Sequence, residues 1–126
     1  VGPDAAEVGR NLFRDRVGRG STAVKARLLD QGVIAGVGNL LADETLWRAR
    51  LSPRQVAGEL SVEQLDRLRR ELRAATRDAI RNGGVHTGRF MPSREKGGSC
   101  PRCGTPLARD TVGGRTTYWC PTCQPN

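Results

Sequence analysis

The chain has 126 residues, of which 37% are hydrophobic and 4% aromatic, and its formal net charge is +8. This length allows one small domain, or two half-domains that support each other. No stretch approaches the roughly 20 apolar residues of a membrane-spanning helix. The strongly basic balance indicates a polyanionic partner, with nucleic acid favoured over a membrane surface. Because aromatic side chains are scarce, a stacking platform for single strands is disfavoured and double-stranded DNA fits better.

Two helices are predicted before residue 32. Asp4 and Glu7 have the spacing of a capping box, and the apolar side chains of residues 8–17 give a rough helical face. Ser21 is predicted to cap a second helix that runs to residue 29, with Gly32 as its stop signal.

The run VIAGVG at residues 33–38 matches neither strand alternation nor a helical face, and predicts a buried turn whose backbone runs close to another group. A third helix is predicted from Asn39 to Arg50. The unpaired amides at a helix start attract phosphate, and glycines let a backbone approach closely. Gly36, Gly38 and the Asn39 amide are therefore candidate phosphate-binding residues. A glycine turn packed between two helices would have the same sequence.

The clearest helix is predicted from Val62 to Asn82. Ser61 and Gln64 form a capping box, and Gly83 ends the helix. Apolar residues recur every three or four positions, at Leu65, Leu68, Leu72, Ala75, Ala79 and Ile80. The many arginines between them are mixed with acidic residues, which favours a solvated, salt-bridged surface over a DNA-binding face.

All four cysteines lie near the end of the chain, as two C-x-x-C pairs separated by sixteen residues: Cys100 with Cys103, and Cys120 with Cys123. This spacing places four thiolates around one structural Zn²⁺. Two disulfides are the alternative, but no signal peptide indicates an oxidising compartment. Between the pairs, Val112 to Arg115 reads as a two-residue Gly-Gly hairpin turn with Arg115 at the tip.

Three segments together resemble one protein family. Residues 25–44 (KARLLDQGVIAGVGNLLADE) look like the helix–two-turns–helix signature of the formamidopyrimidine-DNA glycosylase and endonuclease VIII family. Residues 113–124 (GGRTTYWCPTCQ) look like its zinc finger, and residues 1–4 look like the linker before its helical domain. The resemblance spans nearly the whole chain, and its two long motifs occur in the right order.

This resemblance implies a mainly α-helical fold: a helix–two-turns–helix domain followed by a small β-hairpin zinc finger with four cysteine ligands. We expect the DNA-binding domain at residues 1–84, a loop or hinge at 85–99 and the finger at 100–126. Only fifteen residues separate Gly84 from Cys100, which is closer to the endonuclease VIII side of the family. His86, the only histidine, is expected to be a loop or phosphate-contact residue.

The resemblance also assigns roles to individual residues. The residues that match Lys25 and Asn39 hold backbone phosphates near the lesion, beside the glycines at Gly36 and Gly38. The fingertip arginine that matches Arg115 grips phosphates next to the flipped nucleotide and has an auxiliary part in elimination. The four cysteines hold zinc. Family members remove oxidised bases and then cut the strand at the abasic site.

The catalytic groups of the family are not matched in this chain. They are an N-terminal proline with a free amine, a neighbouring glutamate and a lysine on a β-sandwich domain. Pro3 is preceded by two residues, so its nitrogen is an amide and not a nucleophile. The other amines, Lys25 and Lys96, are expected to lack the burial that lowers a lysine pKa. We therefore expect no catalytic residue here.

Taken together, the sequence predicts duplex DNA binding at damaged or abasic sites, as the DNA-binding half of a base-excision-repair glycosylase-like protein. Two alternatives stay open: a fragment of an active glycosylase and abasic-site lyase, or a zinc-ribbon module that binds protein or RNA. One Zn²⁺ is the expected cofactor. We expect a monomer without a membrane partner, in the bacterial cytoplasm and associated with the nucleoid.

Overall fold

The computed structural model describes all 126 residues and shows four α-helices followed by one antiparallel hairpin. The elements are α1 (Arg10–Val17), α2 (Val24–Leu29), α3 (Asn39–Ala49), α4 (Val62–Asn82), β1 (Ala108–Val112) and β2 (Arg115–Trp119). Short 3-10 turns lie at Ala57–Glu59, Val85–Thr87 and Met91–Ser93. This architecture confirms the predicted fold class. None of the helices is long and apolar enough to cross a membrane.

The first helix begins later than the sequence predicts. α1 starts at Arg10, and Asp4 lies in an extended segment that forms an isolated bridge with Ala35. The backbone of Ala35 donates to the Pro3 carbonyl at 2.8 Å and accepts from the Ala5 amide at 3.0 Å. These long-range bonds hold the N-terminal segment extended. Asp4 therefore caps a local turn, through the Ala6 amide at 2.7 Å, and does not begin a helix.

The second helix is also shorter at its start. α2 begins at Val24, and Ser21 does not cap it. The preceding backbone is bound to residues 55–57, because the Val24 amide donates to the Gln55 carbonyl at 2.7 Å and the Thr22 carbonyl accepts from Ala57 at 2.9 Å. The helix ends at Leu29 as predicted.

The fourth helix has the predicted bounds. Ser61 and Gln64 form both hydrogen bonds of a capping box, and Gly83 ends the helix with φ +90°. Leu65, Leu68, Leu72 and Ala75 are buried, as predicted. Ile80, by contrast, is 74% exposed. α4 has 21 residues and α3, against which it packs, has 11, so the last turn of α4 extends beyond the apolar layer.

The helices share one core, and the finger is joined to it by a second cluster. Twenty buried residues from all four helices and the connections between them form the main cluster. The second cluster consists of Trp47, Phe90, Cys100, Cys120 and Cys123. Within it the Trp47 and Phe90 rings are stacked, with centroids 5.5 Å apart and an interplanar angle of 20°. Trp47 on α3 thus packs directly against the cysteine cluster.

The hairpin turn is the predicted two-residue one. Val112 pairs with Arg115, and the two glycines between them have φ +63° and +77°. Two consecutive positive φ values are what a type I′ turn requires. A Cβ at Gly113 would lie 3.1 Å from the Ala26 Cα, so the hairpin tip packs closely against α2.

Candidate nucleic-acid interface and metal centre

The four cysteine sulfurs form one cluster in which every pair lies within 4.8 Å. The Cys100 and Cys123 sulfurs are 3.9 Å apart, and those of Cys103 and Cys120 are 3.5 Å apart. Four sulfurs at about 2.3 Å from a tetrahedral Zn²⁺ would be about 3.8 Å apart, whereas a disulfide needs about 2.05 Å. The geometry therefore fits one zinc ion and excludes the two-disulfide alternative.

Hydrogen bonds to the sulfurs prepare this cluster for a cation. The Trp47 indole Nε1–H donates to the Cys100 sulfur at 3.3 Å. Hydrogen bonds from Thr105 lower the pKa of the Cys103 thiol to about 6, whereas burial raises the pKa of Cys120 to about 12. Because zinc ligation requires deprotonated thiols, the charge of the metal would favour the thiolate at Cys120. The indole of α3 is an outer-shell partner that sequence reasoning missed.

Lys25 has no exposed surface. Its ammonium Nζ lies 2.8 Å from Asp43 Oδ1 as an ion pair and donates to the Thr117 hydroxyl at 2.6 Å. Burial lowers the pKa of Lys25 from its ordinary value, against the opposing effect of Asp43. The expectation that Lys25 lacks burial is therefore corrected. In this conformation its ammonium is enclosed between Asp43 and Thr117.

The backbone carbonyl of Thr116 on β2 accepts hydrogen bonds from the helical part of the chain and from the connection that follows α4. It accepts from Asn39 Nδ2 at 3.0 Å and from Arg94 Nη2 at 2.9 Å, and Lys25 Nζ lies 3.5 Å away. Lys25 and Asn39, both predicted at the DNA backbone, thus contact the strand that begins with Arg115. Their side chains fix the hairpin against the start of α3.

Asp43 is the centre of this junction. Its Oδ2 accepts from Arg94 Nε at 2.8 Å and from the Tyr118 amide at 3.0 Å, while Lys25 pairs with Oδ1. Sequence reasoning missed Asp43 and Arg94. Asp43 carries a weak signal, a carboxylate within the apolar run of α3. Arg94 carries none, because it lies in an aperiodic loop.

The glycine turn before α3 is buried on one side and open on the other. Val33, Ile34 and Val37 are buried, whereas Gly36 and Gly38 are exposed. Gly36 has φ +92°, and a Cβ added at either glycine would meet nothing within 4 Å. α3 has no side-chain cap and no acidic residue in its first turn. Its first amides therefore face an open space beside two glycines.

Arg115 is exposed at the hairpin tip and forms no ion pair within the chain. It directly precedes Thr116, whose carbonyl is bound to Asn39. The open turn, the start of α3 and the hairpin tip are thus held in one arrangement. We call Gly36, Gly38, Asn39 and Arg115 the turn–tip surface.

The two parts of the chain match two described families. Residues 1–90 match the formamidopyrimidine-DNA glycosylase H2TH domain, and residues 97–126 match the zinc finger found in FPG and IleRS. The chain belongs to the formamidopyrimidine-DNA glycosylase family. Its overlap with that family covers the C-terminal half of the relatives' fold, the helix–two-turns–helix domain and the zinc finger.

Individual relatives agree with this assignment. The formamidopyrimidine-DNA glycosylase of Roseiflexus sp. strain RS-1 is 40% identical over 116 residues, which are 81% of this chain and 42% of the relative. The Thermus thermophilus enzyme is 43% identical over 118 residues, 80% of this chain and 44% of its own length. The chain thus spans less than half the length of these relatives.

Solved structures give the same fold over the whole chain. The Lactococcus lactis Fpg in complex with DNA that contains an abasic site superimposes with a TM-score of 0.88 at 28% identity, covering 100% of this chain and 52% of that protein. A MutM in complex with DNA that contains carbocyclic 8-oxo-G gives a TM-score of 0.87 at 30% identity, covering 100% and 51%.

The segment between the family's two domains is firmly attached in this chain. The Phe90 amide donates to Glu44 Oε1 at 3.0 Å, and the Phe90 ring is fully buried. Arg94 binds Asp43, as described above.

His86 is exposed and lies in an open groove of about 260 Å³ with Leu40 and Arg94 among its lining residues. The metal cluster consists of cysteines alone and does not include this histidine.

Proposed function

We propose that the chain binds duplex DNA at damaged or abasic sites, as the DNA-binding half of a base-excision-repair glycosylase-like protein. The observation that carries this proposal is the hydrogen bond of 3.0 Å from Asn39 Nδ2 to the Thr116 carbonyl. It joins the glycine turn and the hairpin tip into the turn–tip surface. The Lactococcus lactis relative with this fold is described in complex with abasic-site DNA.

Each part of the turn–tip surface suits a phosphate. The first amides of α3 have no intrahelical acceptor and carry the positive end of the helix dipole, so they bind anionic oxygens. Gly36 and Gly38 leave room for a backbone to approach. Arg115 offers an unpaired guanidinium, whose planar fork matches phosphate oxygens. Phosphate contacts of this kind fix the position of a duplex without reading its sequence.

Within this proposal Lys25 and Asn39 act mainly by positioning. Lys25 is buried under β2, and the Asn39 side-chain amide is committed to Thr116. Both side chains hold the hairpin so that Arg115 and the start of α3 face the same DNA strand. Asn39 can still offer its backbone amide to a phosphate, because that amide is the first of the helix.

We further propose the domain limits stated above, with residues 1–84 and 100–126 as the DNA-binding units and 85–99 as their connection. The contacts of Phe90 and Arg94 make this connection a brace that holds the finger in place. The net charge of +8 supports association with DNA in the bacterial nucleoid, where we propose that the chain acts as a monomer.

Binding to matched duplexes tests the proposal. Fluorescence anisotropy would compare an undamaged duplex, the same duplex with a tetrahydrofuran abasic-site analogue, and a double-stranded RNA of the same sequence. We expect the abasic duplex to bind most tightly. Equal affinity for all three would instead support the zinc-ribbon interaction module.

A second candidate is that the chain is part of an active glycosylase and abasic-site lyase. It is favoured by the share of the relatives that the chain spans, 42% for the Roseiflexus protein. An immunoblot of the native protein, run beside the recombinant chain of 126 residues, separates the two candidates. A native band of about the same mass supports the DNA-binding half, and a band of about twice that mass supports the enzyme.

A further inference from the structure

A second basic surface lies on α4, away from the groups discussed so far. An open groove of about 290 Å³ is lined by Arg69, Arg70, Arg73, Ala74 and Arg77. Four of its five lining residues are arginines. We call this set the α4 arginine groove. Its position differs from that of the turn–tip surface, since the hairpin packs on α2 and α3, whereas the groove faces the N-terminal segment through Arg69 and Val8.

Acidic residues that alternate with these arginines in the sequence do not form ion pairs with them in the structure. Asp66 is bound by Arg14 of α1 at 2.6 Å, and Asp78 is bound by Arg48 of α3 at 2.9 Å. Both carboxylates are thus already paired with cations from other helices. The predicted salt-bridged surface exists, but these salt bridges connect α4 to its neighbours. Glu71, the acidic residue within the stretch of groove arginines, forms no ion pair, and Glu7 is the one carboxylate that pairs with a groove arginine.

The charges in the groove repel one another. Burial lowers the pKa of Arg69, and the nearby guanidinium groups of Arg73 and Arg10 lower it further, against a smaller opposing effect of Asp66. The Nε of Arg73 is buried and has no hydrogen-bond partner. Arg77 forms a long ion pair of 3.7 Å with Glu7, and both of these side chains are substantially exposed. An anion bound in the groove would relieve this repulsion.

The spacing of the arginines fits an extended anion. Arg69, Arg73 and Arg77 follow one another every four residues, which is about 6 Å along a helix and about 12 Å in total. Over about 12 Å of duplex axis, one DNA strand carries about four phosphates. Ala74 is the one apolar residue of the lining, so the groove lacks the apolar anchors that protein–protein interfaces usually have at their centre.

We propose that the α4 arginine groove is a second binding site for the phosphate backbone of duplex DNA, on a segment separate from the one held by the turn–tip surface. The chain then has two DNA-binding faces and can hold two duplex segments at once. This inference does not depend on lesion recognition, because phosphate contacts carry no sequence information.

Stoichiometry tests this inference. Isothermal titration calorimetry would use short duplexes of about 12 base pairs, which are long enough to present the roughly four phosphates that one groove contacts and about four more on each side. The wild-type chain should bind two such duplexes. The variant Arg70→Gln/Arg77→Gln changes two groove residues and should bind one. The control Arg81→Gln/Lys96→Gln removes the same charge from exposed positions outside the groove and should still bind two.

The variant Arg115→Gln keeps this test distinct from that of the proposed function. If both sites exist, it weakens one of the two binding events and leaves binding through the groove unchanged. If the turn–tip proposal fails, Arg115→Gln binds as the wild type does while the groove variant loses a duplex. The inference would be overturned if the wild-type chain bound one duplex and the groove variant still bound it, or if a groove variant that retains its helical circular dichroism bound two.

Discussion

Lys25 and Asp43 form an ion pair of 2.8 Å in which neither side chain has any exposed surface. The pair lies where α2, α3 and β2 meet, and Arg94 shares the same carboxylate at 2.8 Å. Desolvation makes such a pair a weak source of net stability, but loss of one partner leaves an uncompensated buried charge. The pair therefore makes the position of the finger dependent on both helices.

Asp43→Asn should destabilise the chain strongly. The Lys25 and Arg94 cations would lose their shared carboxylate, and breaking a buried pair in this way costs about 3–5 kcal/mol. Urea denaturation would measure the change in the free energy of unfolding. The double variant Lys25→Met/Asp43→Asn removes the buried ammonium together with the carboxylate charge and keeps an amide oxygen for the Arg94 and Tyr118 donors, so it should lose less. A loss below about 1 kcal/mol in Asp43→Asn would contradict the buried pair.

Arg115 and Lys25 should differ in how they affect the salt dependence of DNA binding. Arg115→Ala should weaken binding to all sequences alike and flatten the slope of log K against log salt by about one unit. Lys25→Met should leave the slope unchanged, because that ammonium is buried and paired. Titrations at several salt concentrations give both slopes, and a slope reduced by Lys25→Met alone would restore the direct phosphate contact.

Trp47→Phe should weaken zinc binding. The substitution keeps an aromatic ring against Phe90 but removes the N–H that donates to the Cys100 sulfur at 3.3 Å. Loss of an outer-shell hydrogen bond usually lowers metal affinity by about 10–100-fold. Competition with a chromogenic chelator measures this affinity. Trp119→Phe is the matched control, because Trp119 stacks under Arg54 and should leave zinc affinity near that of the wild type.

Cys120→Ser should unfold the finger while the helices persist. The hairpin is too small to bury a core of its own, so ligation of zinc supplies its folding free energy. The helical core of twenty residues does not include the cysteines. Far-UV circular dichroism would follow the helices, and elemental analysis would follow the metal. Wild-type protein that is folded in a metal chelator and contains no zinc would refute this prediction.

The chain by itself should not excise oxidised bases. Pro3 has an amide nitrogen, and its carbonyl accepts from the Ala35 amide at 2.8 Å, so it offers no amine to a sugar. Burial lowers the pKa of Lys25, but its ammonium is buried between Asp43 and Thr117. Weak nicking of preformed abasic sites is compatible with this prediction, because those sites eliminate with any nearby amine.

Borohydride trapping checks this last prediction. Duplexes with an intact oxidised base should give no covalent adduct with the chain. An adduct that forms on such a duplex and disappears in Pro3→Gly would contradict the prediction and show that the chain has glycosylase activity. Lys96→Ala is a control for amines exposed in the loop.

The sequence by itself determined the features that depend on local chemistry. The metal cluster follows from the spacing of four cysteines, and the hairpin turn follows from two glycines that both need positive φ. α4 was predicted to the residue because its capping box, its apolar period and its terminal glycine all act within a few residues of the chain. Such signals do not need the rest of the fold.

Tertiary structure decided what the charged residues do. Arg94 and Asp43 are 51 residues apart in the sequence, and Lys25 and Thr117 are 92 residues apart, so no local sequence pattern predicts either contact. Long-range backbone pairing also delayed the starts of α1 and α2. On α4, acidic residues and arginines alternate along the chain, but Asp66 and Asp78 form ion pairs with arginines of neighbouring helices instead of with the groove arginines. Electrostatic pairing depends on which surfaces meet, and only the packed fold determines that.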